Sequence, residues 1–357
     1  MSINVKKLKF LHQDCVDVLA AQSLNRLEKL KNKTLYIAGG TGFVGTWVAT
    51  LIAYLNQHHG FNTKLFLLAR HPETLETTAP HLLSLPEIQI INRDVRNIFE
   101  LPQEVHYVLH LACSPDSRGH MSNPFETASI IADGTKNLLS VARYCPKLEN
   151  ILYLSSAGIY GNQPIDLKHL PETFNESAPK CNNLTATYAE AKRFAEMLCT
   201  IFRSQFRLPL VIARPFAFVG PFQSFDRPWA INNFMHDTLQ NKPIQILGDG
   251  KTIRSYLYGS DVAYWVLSML IHGQTGDIFN LGSDQEIGLT ELANLIACES
   301  EASTKVQIAE RPLMTQQPSR LIPSVELAKR NLSLNVTVDL KTAIHKTLTW
   351  SHLCNTQ

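Results

Sequence analysis

The sequence predicts a doubly wound α/β fold, in which a parallel sheet carries helices on both faces and a smaller C-terminal α/β lobe follows. Short apolar runs alternate with helical stretches between positions 34 and 213. A glycine cluster follows the first of those runs directly. Beyond Pro215 the pattern loosens, punctuated by Gly220-Pro221, Gly248-Asp249-Gly250 and Gly282.

The elements justify themselves in order. Residues 1–32 form a leader in which Leu8, Leu11, Cys15 and Leu19, then Leu24, Leu27 and Leu30, recur at helical spacing. One or two amphipathic helices would lay these side chains on the body of the protein, or dock them on a partner or an anionic membrane surface. Thr34–Ala38 reads as a short buried strand, and residues 46–55 as an apolar helix. Lys64–Ala69 is a second strand, 88–91 a third and 105–111 a fourth. A helix over 135–144 leads to a fifth strand at 151–154, and a helix over 188–202 to a sixth at 210–213. The expected division is therefore a leader (1–32), a sheet domain (33–215) and a C-terminal lobe (216–357), with no internal repeat.

Composition narrows the function. Only 18% of the 357 residues are charged, and the net charge is +2. Residues 1–33 hold seven basic and three acidic side chains, so the leader region is at +4 and the remainder at −2. A pI near 8.1 is too mild to argue for nucleic acid. Seven cysteines, none in a Cys-x-x-Cys pair, suggest reduced thiols rather than a disulfide framework or a metal site. The longest near-apolar stretch, 264–271, is eight residues, against about 18 for a membrane span. Lys6, Lys7 and Lys9 imitate the start of a signal peptide, but His12, Gln13, Asp14 and Asp17 interrupt any apolar core, so a cytoplasmic protein is expected.

The cluster Gly39-Gly40-Thr41-Gly42-Phe43-Val44-Gly45 sits where the first strand turns into the first helix of the sheet domain. Glycines 39, 42 and 45 would let the backbone turn tightly, approach a pyrophosphate and pack helix on sheet. The unpaired N–H groups and positive dipole end of the helix then face the phosphates. This makes the sheet a Rossmann-type dinucleotide-binding domain. An acidic residue closing the second strand would hold the ribose of NAD; here Arg70 stands there, followed by His71 and Pro72. A guanidinium can pair with a 2′-phosphate, so NADP is slightly favoured over NAD, unless Arg70 is merely solvated. Asp94 and Val95, after the third strand, are placed at the adenine edge, although a turn-forming Asp is an equally cheap reading.

Tyr188-Ala189-Glu190-Ala191-Lys192 sets a phenol and an ammonium on one face of a helix. A free tyrosine ionises at about pH 10. A nearby cation favours the phenolate and would let Tyr188 act as a general base near neutrality. Alone, Tyr-x-x-x-Lys occurs by chance in many helices; its place after the fifth strand of a nucleotide-binding sheet is what singles it out. Ser155-Ser156 closes that strand, at the carboxyl edge where such sheets bind ligands. A hydroxyl there can bond a substrate oxygen and share its proton with Tyr188, or simply end the strand.

The glycine triplet, Ser155-Ser156-Ala157-Gly158-Ile159-Tyr160-Gly161, Tyr188/Lys192, and Arg214-Pro215 with Gly220-Pro221 together resemble the extended short-chain dehydrogenase/reductase family, and within it the nucleotide-sugar epimerases and dehydratases. The resemblance runs from about residue 33 to 340. His110-Leu111-Ala112 resembles the family's segment over the cofactor, implying that Leu111 and Ala112 touch it. Arg254-Ser255-Tyr256-Leu257-Tyr258 with Asp261 resembles the stretch whose arginine holds the nucleotide diphosphate. Phe279-Asn280-Leu281-Gly282-Ser283 resembles a turn of the second lobe, and Arg320 lies where another phosphate-binding arginine is expected; either arginine could be an ordinary surface charge.

What the resemblance implies is a nucleotide-diphosphate sugar as substrate, NAD(P) as cofactor and a homodimer built through helices including that of Tyr188. Ser156 would be the hydroxyl partner, Tyr188 the base and Lys192 its activator, with oxidation at C4 giving a 4-keto sugar. Family dehydratases and decarboxylases commonly place a carboxylate one or two residues after the catalytic hydroxyl; here Ala157 and Gly158 stand there. That leaves C4 epimerisation ahead of net reduction of a keto-sugar. A 4,6-dehydratase would need a carboxylate from elsewhere, such as Glu172 or Glu176, and a non-catalytic dinucleotide-binding scaffold would need none of the three residues. Two departures affect the substrate pose: Ile131 and Ala217 occupy places where the family often has asparagine.

Overall fold

The computed structural model describes residues 5–175, 181–299, 304–308 and 319–355. The chain opens with α1 (Val5–Gln22) and a 3-10 segment (Leu24–Leu30), then enters β1 (Thr34–Ala38), α2 (Phe43–His59), β2 (Lys64–Ala69), α3 (Thr74–Thr78), β3 (Ile88–Asn92) and β4 (Tyr107–His110). It continues through α4 (Ser117–Ser122), α5 (Pro124–Ala142), β5 (Asn150–Leu154), α6 (Thr187–Phe206) and β6 (Leu210–Pro215). The C-terminal part holds β7 (Ala217–Val219), α7 (Ala230–Leu239), β8 (Ile244–Ile246), β9 (Ile253–Arg254), β10 (Tyr256–Tyr258), α8 (Gly259–His272), β11 (Ile278–Leu281), β12 (Ile287–Gly288), α9 (Leu289–Cys298), β13 (Val306–Ile308), β14 (Arg320–Leu321), α10 (Glu326–Leu332) and α11 (Leu340–Asn355).

Seven parallel strands in the order β11-β6-β5-β4-β1-β2-β3 form the central sheet. This is the expected doubly wound α/β arrangement. The six predicted strands lie where their apolar runs place them. A seventh, β11, comes from beyond residue 215, where the sheet domain was expected to end: Phe279 and Leu281 are fully buried, and the strand pairs with β6 through Ile278↔Ile212 to Leu281↔Pro215. The smaller sheets β10-β7, β12-β9-β14 and β13-β8 lie in the C-terminal part.

Helix bounds differ from the sequence expectation for identifiable reasons. α5 begins at Pro124 rather than near 135, because Asn123 caps it, its side chain accepting from Glu126 N, and proline is favourable in the first turn. α2 runs on to His59 and stops at Gly60 in the left-handed region. The leader folds onto the body, burying Leu11, Cys15, Leu19, Leu27 and Leu30, while Leu8 and Leu24 are half-buried. It is fixed by polar contacts as well. Asp14 accepts from the Tyr258 hydroxyl (2.7 Å) and the Lys346 ammonium (2.6 Å), and the Tyr264 hydroxyl donates to the carbonyls of Gln22 and Ser23. α8 is therefore covered on the side away from the sheet, and every residue from Gly259 to Ile271 is buried. No described helix is long and apolar enough to cross a membrane.

Candidate active site

The loop between β1 and α2 is built for close approach. Gly39 has φ +91°, and a Cβ there would lie 2.9 Å from the Ala112 nitrogen; at Gly45 it would lie 2.5 Å from the Gly39 carbonyl oxygen. Only glycine avoids both clashes, so α2 can start against the strand edge with Gly42 as its N-terminal flank. Phe43 stacks on Phe218, and Val44 is buried. A groove of about 190 Å³ opens over the loop, bounded by Gly39, Gly42, Arg70, Val95, Leu111 and Ala112. A cradle that a single methyl group would fill, ending at a helix N-terminus, suits the pyrophosphate of a dinucleotide.

Two residues assigned to this groove from the sequence have other partners in the fold. The Asp94 carboxylate accepts from Arg96 N (2.8 Å), Nε (3.0 Å) and Nη2 (2.8 Å), and those bonds hold it below the ordinary aspartate range. It caps the turn Val95–Asn97, so the turn-forming reading accounts for its side chain. Arg70 lies 4.0 Å from Asp94 and 3.8 Å from Glu126, both already bonded to Arg96. Its charge is thus partly compensated.

Beside the groove, Ser156 ends the β5 edge and accepts from Gly158 N at 3.0 Å, capping a single 3-10 turn (Ala157–Tyr160). Its hydroxyl is the one influence pulling the neighbouring Tyr188 phenol's ionisation down; burial dominates and, with the Cys113 thiol, pushes it above the ordinary tyrosine range. Lys192, one turn further along α6 and 4% exposed, donates to the Leu154 carbonyl at 2.7 Å and lies 5.0 Å over the Tyr153 ring. Burial pulls its ammonium below the usual lysine range. The Ser155 hydroxyl is buried without a partner. His110, on β4, contacts the Thr135 hydroxyl at 2.9 Å; burial pushes it down to about 3, so the ring is neutral.

A polar network underlies this edge. Arg214 forms a two-pronged pair with Glu196 (3.0 and 2.8 Å) and donates to the Tyr160 hydroxyl (3.0 Å) and the Glu172 carbonyl (2.7 Å). The Tyr160 hydroxyl donates to Asn280 Oδ1, and the Glu172 carboxylate accepts from Asn280 N at 2.9 Å. Glu172 is therefore engaged in joining β11 to the β5–α6 connection; Glu176 lies outside the described residues. Asp261 likewise ties down Thr337 and Val338.

The two arginines expected at the diphosphate sit on neighbouring strands, β9 and β14, in parallel register. Arg254 donates to the carbonyls of Ile253 (2.8 Å) and Ser319 (2.9 Å) and to the Ser319 hydroxyl (2.8 Å), and has no carboxylate partner among the described residues. Burial lowers its affinity for the proton, the sign of a cation without a counter-charge. Arg320 is bound to the Glu286 carboxylate and the Lys168 carbonyl. An arginine already neutralised in this way has less to offer a phosphate.

Fold and groove together define a Rossmann-type dinucleotide-binding protein. The chain belongs to the NAD dependent epimerase/dehydratase family, whose model matches residues 35–282. It is 26% identical over 312 residues to UDP-glucuronic acid decarboxylase 1 of Arabidopsis thaliana, covering 87% of this chain and 68% of that one. Likeness to the decarboxylase 1 of Danio rerio is 26% over 326 residues, 90% and 73% of the two chains. Among solved structures, UDP-glucuronic acid 4-epimerase from Bacillus cereus with UDP-glucuronic acid and NAD superposes with a TM-score of 0.75 at 21% identity, covering 89% and 98%. UDP-glucose 4-epimerase from Thermotoga maritima gives 0.72 at 19%, with the same coverage. The protein is thus an enzyme of a nucleotide-sugar-modifying family.

Proposed function

We propose that this enzyme acts on a UDP-linked sugar through a 4-keto intermediate and that C4 epimerisation is its reaction. The observation that carries this reading is the missing carboxylate: Ser156 is followed by Ala157 and Gly158 in a tight turn, while Glu172 and Glu196 are both engaged by partners of the fold. Among the described residues of this turn and network, neither Glu172 nor Glu196 is free to remove a proton from C5, which 4,6-dehydration requires. Decarboxylation of a UDP-uronic acid is the second reading, supported by the names of the relatives at 26% identity.

In this reading Gly39, Gly42, Phe43, Val44 and Gly45 receive the pyrophosphate, Val95 and Leu111 with Ala112 flank the groove, and Lys192 faces the cofactor's nicotinamide side. When bound, NAD supplies a hydride acceptor that can return the hydride to either face of C4. Tyr188 takes the proton of the 4-hydroxyl, and Ser156 holds that oxygen. Burial and the nearby Cys113 thiol oppose ionisation of the phenol and only Ser156 favours it, so in this reading its function depends on Ser156 and on the positive charge of the bound oxidised cofactor. Arg254, lacking a carboxylate, is the residue for the diphosphate. NAD is preferred to NADP, because Asp94 and Glu126 partly compensate the Arg70 charge and leave it less to offer a 2′-phosphate.

Purified protein incubated with UDP-glucuronic acid, UDP-glucose or a keto-sugar, with NAD or NADPH, tests this by mass spectrometry and NMR. A C4 epimer of unchanged mass, formed without net cofactor consumption and abolished by Tyr188→Phe, is expected. Loss of carbon dioxide, loss of water, stoichiometric cofactor oxidation or full activity in Tyr188→Phe would overturn it. Phe194, Met197 and Ile201 stand 53, 54 and 36% exposed along one stripe of α6, which supports a homodimer in which a second copy covers this helix. Sedimentation showing only a 40.1-kDa species at micromolar concentration would overturn that assembly. The leader, the cofactor region and the C-terminal part are proposed as the functional divisions, with β11 lent by the last to the sheet of the second.

A further inference from the structure

Ser156 and Tyr188 stand on different elements, a turn at the β5 edge and the start of α6, joined by a long connection over residues 161–186. Backbone alone does not fix their separation, and side chains must do so. Arg214, 8% exposed near the end of β6, reaches both elements. Its Nε and Nη2 form the fork with Glu196, which lies one helical turn beyond Lys192 on α6 and two beyond Tyr188. Its Nη1 donates to the Tyr160 hydroxyl and the Glu172 carbonyl, and the guanidinium lies 5.0 Å over the Tyr160 ring. Tyr160 closes the 3-10 turn that Ser156 caps. Burial pushes its phenol up to about 12, so the hydroxyl keeps its proton and passes a hydrogen bond on to Asn280 of β11. A second arginine, Arg193, also links α6 to this turn, but by a single bond to the Ile159 carbonyl (3.0 Å) and from a side chain 37% exposed.

We propose that Arg214 is a positioning residue for the reaction: by holding Glu196 of α6 and Tyr160 of the Ser156 turn on one guanidinium, it sets the distance between the Ser156 hydroxyl and the Tyr188 phenol. This rests on Ser156 and Tyr188 acting on the sugar as proposed above. The role needs shape as well as charge. A planar fork holds both oxygens of a carboxylate in one orientation and presents its other N–H groups in the same plane, whereas an ammonium is a point charge on a flexible stem. The Arg214 and Glu196 side chains are only 10 and 12% exposed, so water does little to screen the pair. Ser156 is the one influence pulling the Tyr188 ionisation down, so a displaced turn weakens the base as well as the hold on the substrate oxygen. A misplacement of about 1 Å can cost rate on the order of a hundredfold.

Arg214→Lys keeps the charge and loses the fork. The protein with NAD added is read by hydrogen exchange over residues 155–161, where the Gly158 N–H donates to the Ser156 hydroxyl, with β1 as the reference. Exchange over 155–161 is expected to rise about tenfold while β1 stays unchanged. With UDP-glucuronic acid as probe, kcat is expected to fall at least about tenfold, with KM and NAD affinity within about twofold of the wild type. Unchanged exchange over 155–161 overturns the proposal. So does an equal rise in β1, which marks a plain loss of stability, and so does a loosened turn with kcat intact. If the wild type does not turn over the probe, the proposed reaction fails, while the exchange still decides whether Arg214 holds the Ser156 turn. Should Arg214→Lys fail to fold, Arg214→Met combined with Glu196→Leu, which strands no buried charge, is read by the same outcomes.

Discussion

Asp14 and Lys192 are both almost fully buried, at 1% and 4% exposure, yet the fold keeps them in opposite ways. Asp14, in the seam between the leader and α11, has a hydroxyl on one oxygen and an ammonium on the other, from Tyr258 and Lys346. Nearby Asp261 accepts from two backbone N–H groups and a hydroxyl. Around the candidate site the cations are kept differently. Lys192 donates to one backbone carbonyl, Arg254 meets only carbonyls and a hydroxyl, and the Ser155 hydroxyl has no partner. A buried charge is costly unless it is paired. The seam satisfies that requirement from within the chain; in the proposed reading the site satisfies it when a negative or strongly polar ligand arrives. On that reading the first region holds the fold together and the second gives up stability to bind.

That contrast can be broken from either side. The largest effect expected is on the seam: Asp14→Ala strands the Lys346 ammonium and the Tyr258 hydroxyl and should cost about 3 kcal/mol of stability, read by denaturant unfolding. KM for the nucleotide sugar should stay unchanged. A loss below about 0.5 kcal/mol would mean that the seam's pairing contributes little. A smaller effect with the opposite distribution is expected at Arg254. Arg254→Met should raise KM for UDP-glucuronic acid about tenfold, the loss of one charge-assisted contact, while leaving the unfolding midpoint equal or higher because an unpaired cation has gone. A drop in stability with unchanged KM would place Arg254 with the seam instead.

How much of this was legible in the sequence follows the range of the interactions. β1, β2 and β4 to β6 are buried runs whose neighbours fix them locally, and the glycine loop is readable because Gly45 answers to the backbone of Gly39 and Gly40 a few residues away, although the limit at Gly39 comes from the remote Leu111 and Ala112. Tyr188 and Lys192 are legible through helical spacing. What depends on remote partners was hidden. Nothing near Asp94 announces that Arg96 will take its carboxylate, nor near Arg320 that Glu286 will neutralise it. β11 looks like part of the C-terminal lobe until its pairing with β6 is seen. His120, stacked on the Tyr188 ring, has neither periodicity nor motif to mark it, since it lies well beyond the end of β4 and its place follows from how the β4–α5 connection folds.

The contact between Asp14 and Lys346 spans 332 residues of sequence, and that between Asp14 and Tyr258 spans 244. During synthesis α1 emerges long before either partner exists. Its carboxylate must wait for both partners, although His12 on the same helix has Tyr54 and His58 of α2 much closer in sequence. Contacts of large separation are slow to form. The seam is completed only once α11 has been made, which makes the yield of native protein a matter of timing as much as of stability.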